Sequence, residues 1–181
     1  MRPWLGVLMR SKELILLTGE VDSGKTSWCL SFIKANRGYD GVLLRKVYQA
    51  DRRIGYDAVK ISSGRTAPFS RLQGLEPPKW HPIECIGPFS VSEEGKQTAN
   101  RWLLEALDSS ACGLIIDELG PLELRGGGLA EAVRSVLQDG SSRSLILVVR
   151  RSCLTQVIRR FSLPEHHLVE VKASPASMIP R

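Results

Sequence analysis

The chain has 181 residues, of which 43% are apolar and 24% charged, and carries a formal net charge of +6. A chain of this length buries roughly 70% of the surface its unfolded form exposes, and its composition excludes collagen-like, coiled-coil and disordered architectures. No apolar run approaches the roughly 18 residues of a membrane span, so the expectation is a cytoplasmic protein of one domain (residues 1–181) without a membrane partner.

Arg2 and the apolar residues from Trp4 to Met9 resemble the start of a secretory signal, but Arg10, Lys12 and Glu13 interrupt the run. Glu13 to Thr18 follows, and its unbroken Leu14-Ile15-Leu16-Leu17 suits a parallel strand buried on both faces. Lys25 to Asn36 reads as a helix, with Trp28, Phe32 and Ala35 at helical spacing and Gly38 as a stop. Gly41 to Val47 reads as a second strand. Gly55 to Ile61, with a turn at Ser63-Gly64, reads as part of a hairpin.

Gly74 to Pro82 is expected as loop and Ile83 to Phe89 as a short strand. Ser92 can cap a helix to Leu107, whose apolar stripe is Ala99, Leu103, Ala106 and Leu107. Cys112–Ile116 and Leu145–Val149 read as buried strands, Leu129–Leu137 and Cys153–Phe161 as helices, and Leu168–Val171 as a last strand. Residues 174–181 read as a loose tail. Strands alternating with helices predict an α/β sandwich with a mainly parallel sheet. The insertion at 51–82 breaks the alternation and reads as an antiparallel hairpin with a loop. Cys29, Cys85, Cys112 and Cys153 have no zinc or redox spacing. Those in or beside apolar segments (Cys29, Cys112 and Cys153) are expected as buried thiols.

Charge is unevenly placed. Residues 34–79 hold ten basic and four acidic side chains, whereas 84–123 hold eight acidic and two basic ones. A basic segment of this kind fits a polyanion, a solvated face, or a pocket that holds phosphates. The motifs favour the pocket over nucleic acid.

Gly19-Glu20-Val21-Asp22-Ser23-Gly24-Lys25-Thr26 fits G-x-x-x-x-G-K-[ST], the Walker A phosphate loop, and lies between the first strand and the first helix. Backbone N–H groups of such a loop surround a β-phosphate, aided by the positive end of the following helix. Lys25 can bridge β- and γ-phosphates, and the Thr26 hydroxyl can ligate Mg²⁺. Ser27 completes the binding segment. Glu20 and Asp22 add negative charge beside the phosphates and are expected to point to solvent. Leu114 to Glu118 is an apolar strand ending in two acids. Asp117 is then the metal-holding carboxylate, and Glu118 can polarise a water for in-line attack. Glu123 is either an orienter of the site or a solvated loop residue. Arg150 and Arg151 end the strand 145–149, and Arg150 is favoured as the group reaching the γ-phosphate. Arg45 is a weaker phosphate candidate, Arg52 and Arg53 are expected to be solvated, and the aromatic residues to pack in core or loop.

The segments TGEVDSGKT, GYDGVLLRKV with RRIGYDAVKISSGRTAPFSRL, LIIDELGPLEL and VVRRS together resemble the small P-loop nucleoside-triphosphatases first known from thermophiles. The resemblance runs from Leu14 to Val171, and Asp117 to Leu124, DELGPLEL, is its most specific piece. It implies a RecA-like sheet with another strand between the phosphate-loop strand and the Asp117 strand. It also implies Mg²⁺-dependent hydrolysis of several nucleoside triphosphates, although some related proteins are described as nucleotide kinases. The chain departs from the family pattern in lacking the loop proline, in carrying Asp22 for a small residue, and in having Ser27 where a second Thr is common. Three readings follow: a triphosphate hydrolase, which Glu118 favours; a kinase with an acceptor near Arg45 to Arg71; and a nucleotide-dependent binding module with little turnover. The sequence does not specify oligomeric state.

Overall fold

A computed structural model describes residues 13–172; the signal-like residues before Glu13 and the tail 174–181 lie outside the described residues. Nine strands form one sheet: β1 (Leu14–Gly19), β2 (Tyr39–Gln49), β3 (Arg52–Lys60), β4 (Thr66–Leu72), β5 (Pro82–Ile86), β6 (Phe89–Ser92), β7 (Gly113–Leu119), β8 (Ser144–Arg150) and β9 (His167–Glu170). Their order is β5-β6-β4-β3-β2-β7-β8-β1-β9. The strands β2, β7, β8, β1 and β9 pair in parallel, and β8 lies between β1 and β7.

Helices α1 (Lys25–Ala35), α2 (Glu93–Leu107), α3 (Pro121–Leu124), α4 (Ala130–Gln138) and α5 (Leu154–Arg160) connect the strands. Because successive strand residues face opposite sides of a sheet, the unbroken apolar runs build two cores. On one face Cys29 and Phe32 of α1 cover Leu17, Leu43, Ile115, Ile146 and Val148. On the other, Trp102 and Leu103 of α2, Val133 of α4 and Val157 of α5 cover Leu16, Val42, Ile116 and Leu147. Each such fully buried aliphatic side chain contributes about 1.5–3 kcal/mol. The Ser92 hydroxyl accepts a 3.1 Å hydrogen bond from Gly95 N and caps α2 as expected.

The antiparallel part is larger than the insertion 51–82. β2 continues to Gln49 and pairs with β3, β3 with β4, β4 with β6, and β6 with β5. The expected single strand 83–89 is two strands, divided by a turn at Gly87-Pro88. Helix α3 was not expected: four residues starting at a proline carry no periodicity. Cys29 and Cys153 are buried, but Cys112 is exposed, ahead of β7 rather than inside it. No described helix is long and apolar enough to cross a membrane.

Candidate functional site

Parallel pairing brings three strand ends together. Gly19 of β1 aligns with Arg150 of β8, and Leu119 of β7 with Val149. At this carboxyl edge a crevice of about 380 Å³ is lined by Gly19, Glu20, Val21, Asp22, Gly24, Lys25, Thr26, Ser27, Asp117, Glu118 and Arg150. Of the expected site residues, Ser23 alone stays out of the lining. It is buried beneath the loop, its N–H donates to the Glu20 carbonyl at 3.2 Å, and its hydroxyl has no partner among the described residues.

The loop turns into α1 through Gly24, whose φ of +95° is a left-handed conformation that a β-carbon disfavours. The Lys25 ammonium donates to the carbonyls of Gly19 at 3.0 Å and Glu20 at 2.7 Å. Burial lowers the Lys25 pKa, while the charges of Glu118 and Asp117 oppose that shift. The Thr26 hydroxyl donates to Asp117 Oδ2 at 3.0 Å, and Leu44 N donates to the same oxygen at 3.2 Å. Asp117 is 1% exposed, and its carboxyl is pushed up to about 7, first by burial and then by Glu118. A buried carboxylate oxygen paired with a hydroxyl is a hard oxygen donor set, incomplete by itself, that suits Mg²⁺ sharing its remaining ligands with phosphate and water.

Neighbouring strand residues normally face opposite sides, yet Asp117 and Glu118 both line the crevice. The cause is a β-bulge: Ile116 pairs with Leu147 and Leu119 with Val149, so two residues of β7 oppose one of β8. Glu118 takes φ +67° at this bulge, a conformation that costs a non-glycine residue about 1–3 kcal/mol. Its Oε1 accepts from Arg150 Nε at 2.9 Å and Nη2 at 2.7 Å. The expected water-polarising acid and the expected γ-phosphate arginine therefore contact each other. Arg151 turns elsewhere, to Glu170 of β9 and to Glu20 at 3.5 Å.

Glu20 and Asp22 are exposed, as expected, but neither is free: each is held in an ion pair. Glu20 pairs with Arg151, and Asp22 pairs with Lys46 and, at 3.4 Å, with Arg53. The hydrogen bond from Lys46 leads the causes that lower the Asp22 pKa. Arg53 is not freely solvated either, since it lies 5.5 Å from the Tyr56 ring and 5.8 Å from that of Phe89. Arg45 lines the crevice and lies 3.8 Å from Asp57. The β2–β3 hairpin thus neutralises the unusual acid in the loop. Asp22→Asn keeps a residue that tolerates the φ of +63° and frees Lys46 and Arg53. Nucleotide affinity is expected to rise about fivefold, roughly 1 kcal/mol, and the gain to fade at high salt. Nucleotide titrations at two ionic strengths check both.

Glu123 is neither solvated nor in the crevice. It is 3% exposed, and its carboxylate accepts from Gly120 N at 2.8 Å and Leu129 N at 3.1 Å. It closes the loop that carries α3 just after Glu118. Burial pushes its pKa up to about 7 against those two hydrogen bonds. A carboxyl with a folded-state pKa above its unfolded value holds its proton more tightly when folded. Its stabilising contribution is therefore complete below the unfolded pKa and disappears as pH rises through about 7. Glu123→Gln leaves one buried N–H without an acceptor and should cost about 1–3 kcal/mol. The gap between the two proteins should narrow from about pH 5 to about pH 8, as thermal unfolding at both values would reveal.

Against this geometry stand four likenesses. A profile of a family described as NTPase matches residues 14–178. A nucleoside-triphosphatase THEP1 from Methanopyrus kandleri is 27% identical over 142 residues, covering 76% of this chain and 74% of the relative. The human cancer-related nucleoside-triphosphatase is 37% identical over 132 residues, 68% of each chain. The crystal structure of THEP1 from Aquifex aeolicus superposes with a TM-score of 0.67 at 22% identity, over 91% of this chain and 92% of that one.

Proposed function

The chain belongs to this NTPase family and is a hydrolase, and on that premise we propose that its crevice hydrolyses nucleoside triphosphates, ATP and GTP among them, to diphosphate and phosphate with Mg²⁺. The observation that carries the reading is the convergence of Thr26, Asp117 and Lys25 in one crevice with Glu118 and Arg150. The loop 19–27 binds the phosphates. Lys25 exchanges its two loop carbonyls for phosphate oxygens, a better match for an ammonium. Thr26 and Asp117 would hold Mg²⁺, which when bound neutralises charge on the β- and γ-phosphate oxygens.

Glu118 accepts a hydrogen bond from the attacking water and orients it toward the γ-phosphorus. Its bulge conformation supports this role, because it turns the carboxylate into the crevice rather than toward the sheet's other face. Arg150 offers a fixed cation to the charge that develops on the γ-phosphoryl group. Without nucleotide the same guanidinium is occupied by Glu118, so phosphate and carboxylate compete for it. Arrival of the γ-phosphate weakens the ion pair and frees Glu118 for water.

Phosphate release from ATP, GTP, CTP and UTP with Mg²⁺ tests the reading. Wild type is expected to turn over, and Lys25→Ala to lose about 10²-fold or more. A wild type that binds nucleotide but releases no phosphate overturns the proposal.

A further inference from the structure

A second cavity, of about 330 Å³, adjoins the first and shares Val21, Leu44, Tyr56, Glu118 and Arg150 with it. Its other walls come from β4, from the turn between β5 and β6, and from the start of α3. Phe69, Phe89 and Pro121 make this lining predominantly apolar and aromatic. The volume is at the small end of the about 300–1,000 Å³ typical of ligand pockets, which suits one ring system with a few polar groups. Water needs no such wall to reach the γ-phosphate.

The charges favour a neutral occupant. Of the four charged lining residues, Glu118 is already paired with Arg150 and Arg53 with Asp22, and the Glu123 carboxyl is held by the Gly120 and Leu129 amides, so neither cation lacks an anion. Arg53 still supplies a polar contact, since its Nε is buried without a partner among the described residues. Aromatic walls around a neutral ring, one spare donor, and a carboxylate at the boundary between the cavities define an aromatic alcohol. Its ring would pack on Phe69, Phe89 and Tyr56, and its hydroxyl would meet Glu118 where water is placed in the hydrolytic reading.

The geometry points to a phosphoryl-acceptor site: the second cavity binds a neutral aromatic alcohol, of nucleoside or simple arylalkyl type, and the protein transfers the γ-phosphoryl group to it. The inference rests on the nucleotide and Glu118 placements proposed above. The acceptor oxygen forms a bond to the γ-phosphorus, and the bond from that phosphorus to the β,γ-bridging oxygen breaks. The hydroxyl proton goes to the Glu118 carboxylate. The electron pair of the broken bond leaves on the β-phosphate of the nucleoside diphosphate. The products are a phosphate monoester and the diphosphate.

The test uses the full chain, ATP labelled in its γ-phosphate, and Mg²⁺. One set of reactions receives the four common ribonucleosides separately, another receives 2-phenylethanol, and each is scored for labelled monoester and for free phosphate. The inference expects monoester in at least one set, and which set yields it identifies the acceptor type. Ile86→Trp fills the cavity from the end of β5. It is expected to keep phosphate release without acceptor while monoester falls about tenfold or more. Absence of monoester from wild type in both sets overturns the inference, whether or not phosphate is released. Monoester that persists undiminished in Ile86→Trp also overturns it, by removing the cavity as its source. Free phosphate in acceptor-free tubes reports separately on hydrolysis, so the two readings fail independently.

Discussion

Glu118→Gln is expected to lower kcat for phosphate release by about 10²- to 10⁴-fold and to leave nucleotide affinity undiminished or raised, since the neutral amide competes less with phosphate for Arg150. The amide keeps the size of the side chain and one oxygen toward Arg150, but it cannot accept a proton or polarise water as a carboxylate does. Glu118 reaches the crevice through a bulge at φ +67°, a strained placement for a non-glycine residue. A split of this kind separates a group acting in the transition state from one that merely shapes the pocket. Steady-state rates beside direct nucleotide titration supply both quantities. Equal kcat in variant and wild type would remove Glu118 from the reaction.

Arg150→Ala is expected to lose more, about 10³- to 10⁵-fold in kcat. Its guanidinium lies on Glu118 Oε1 through both Nε and Nη2. Removing it takes away the cation offered to the γ-phosphoryl group and also releases the acid. Arg150→Lys should recover little, because one ammonium cannot reproduce a two-point contact. Two functions in one residue imply coupling. The Glu118→Gln and Arg150→Ala effects should therefore fall well short of additive in the double variant. Purely additive losses would mean that the ion pair has no part in the reaction cycle.

Long apolar runs and the phosphate-loop motif made the parallel half of the fold legible in the sequence. Leu14, Leu16 and Leu17 and the run Leu114–Ile116 are buried on both faces, and only a covered parallel sheet needs such runs. Part of the crevice lining was legible too, because the phosphate loop, Asp117, Glu118 and Arg150 stand at strand ends, whereas Leu44, Lys46 and Tyr56, which also line it, carried no such signal. What escaped depends on contacts between distant segments. The pairing of Asp22 with Lys46 links residues 24 positions apart, and that of Glu118 with Arg150 links residues 32 apart. Neither spacing carries a local signal. The bulge at Asp117-Glu118 is visible only once β8 provides a register. Glu123 reads as a loop acid until the Gly120 and Leu129 amides are seen to enclose it. The second cavity is built from β4, the β5–β6 turn and α3, the part of the chain with the weakest periodicity.

The central claim is that water, placed in this crevice, attacks the γ-phosphorus. A single turnover of ATP with Mg²⁺ in heavy-oxygen water, with both products analysed by mass, tests it most directly. The account predicts one solvent oxygen in the released phosphate and none in the diphosphate. Solvent oxygen in the diphosphate, or no phosphate from fully nucleotide-loaded protein, would contradict it.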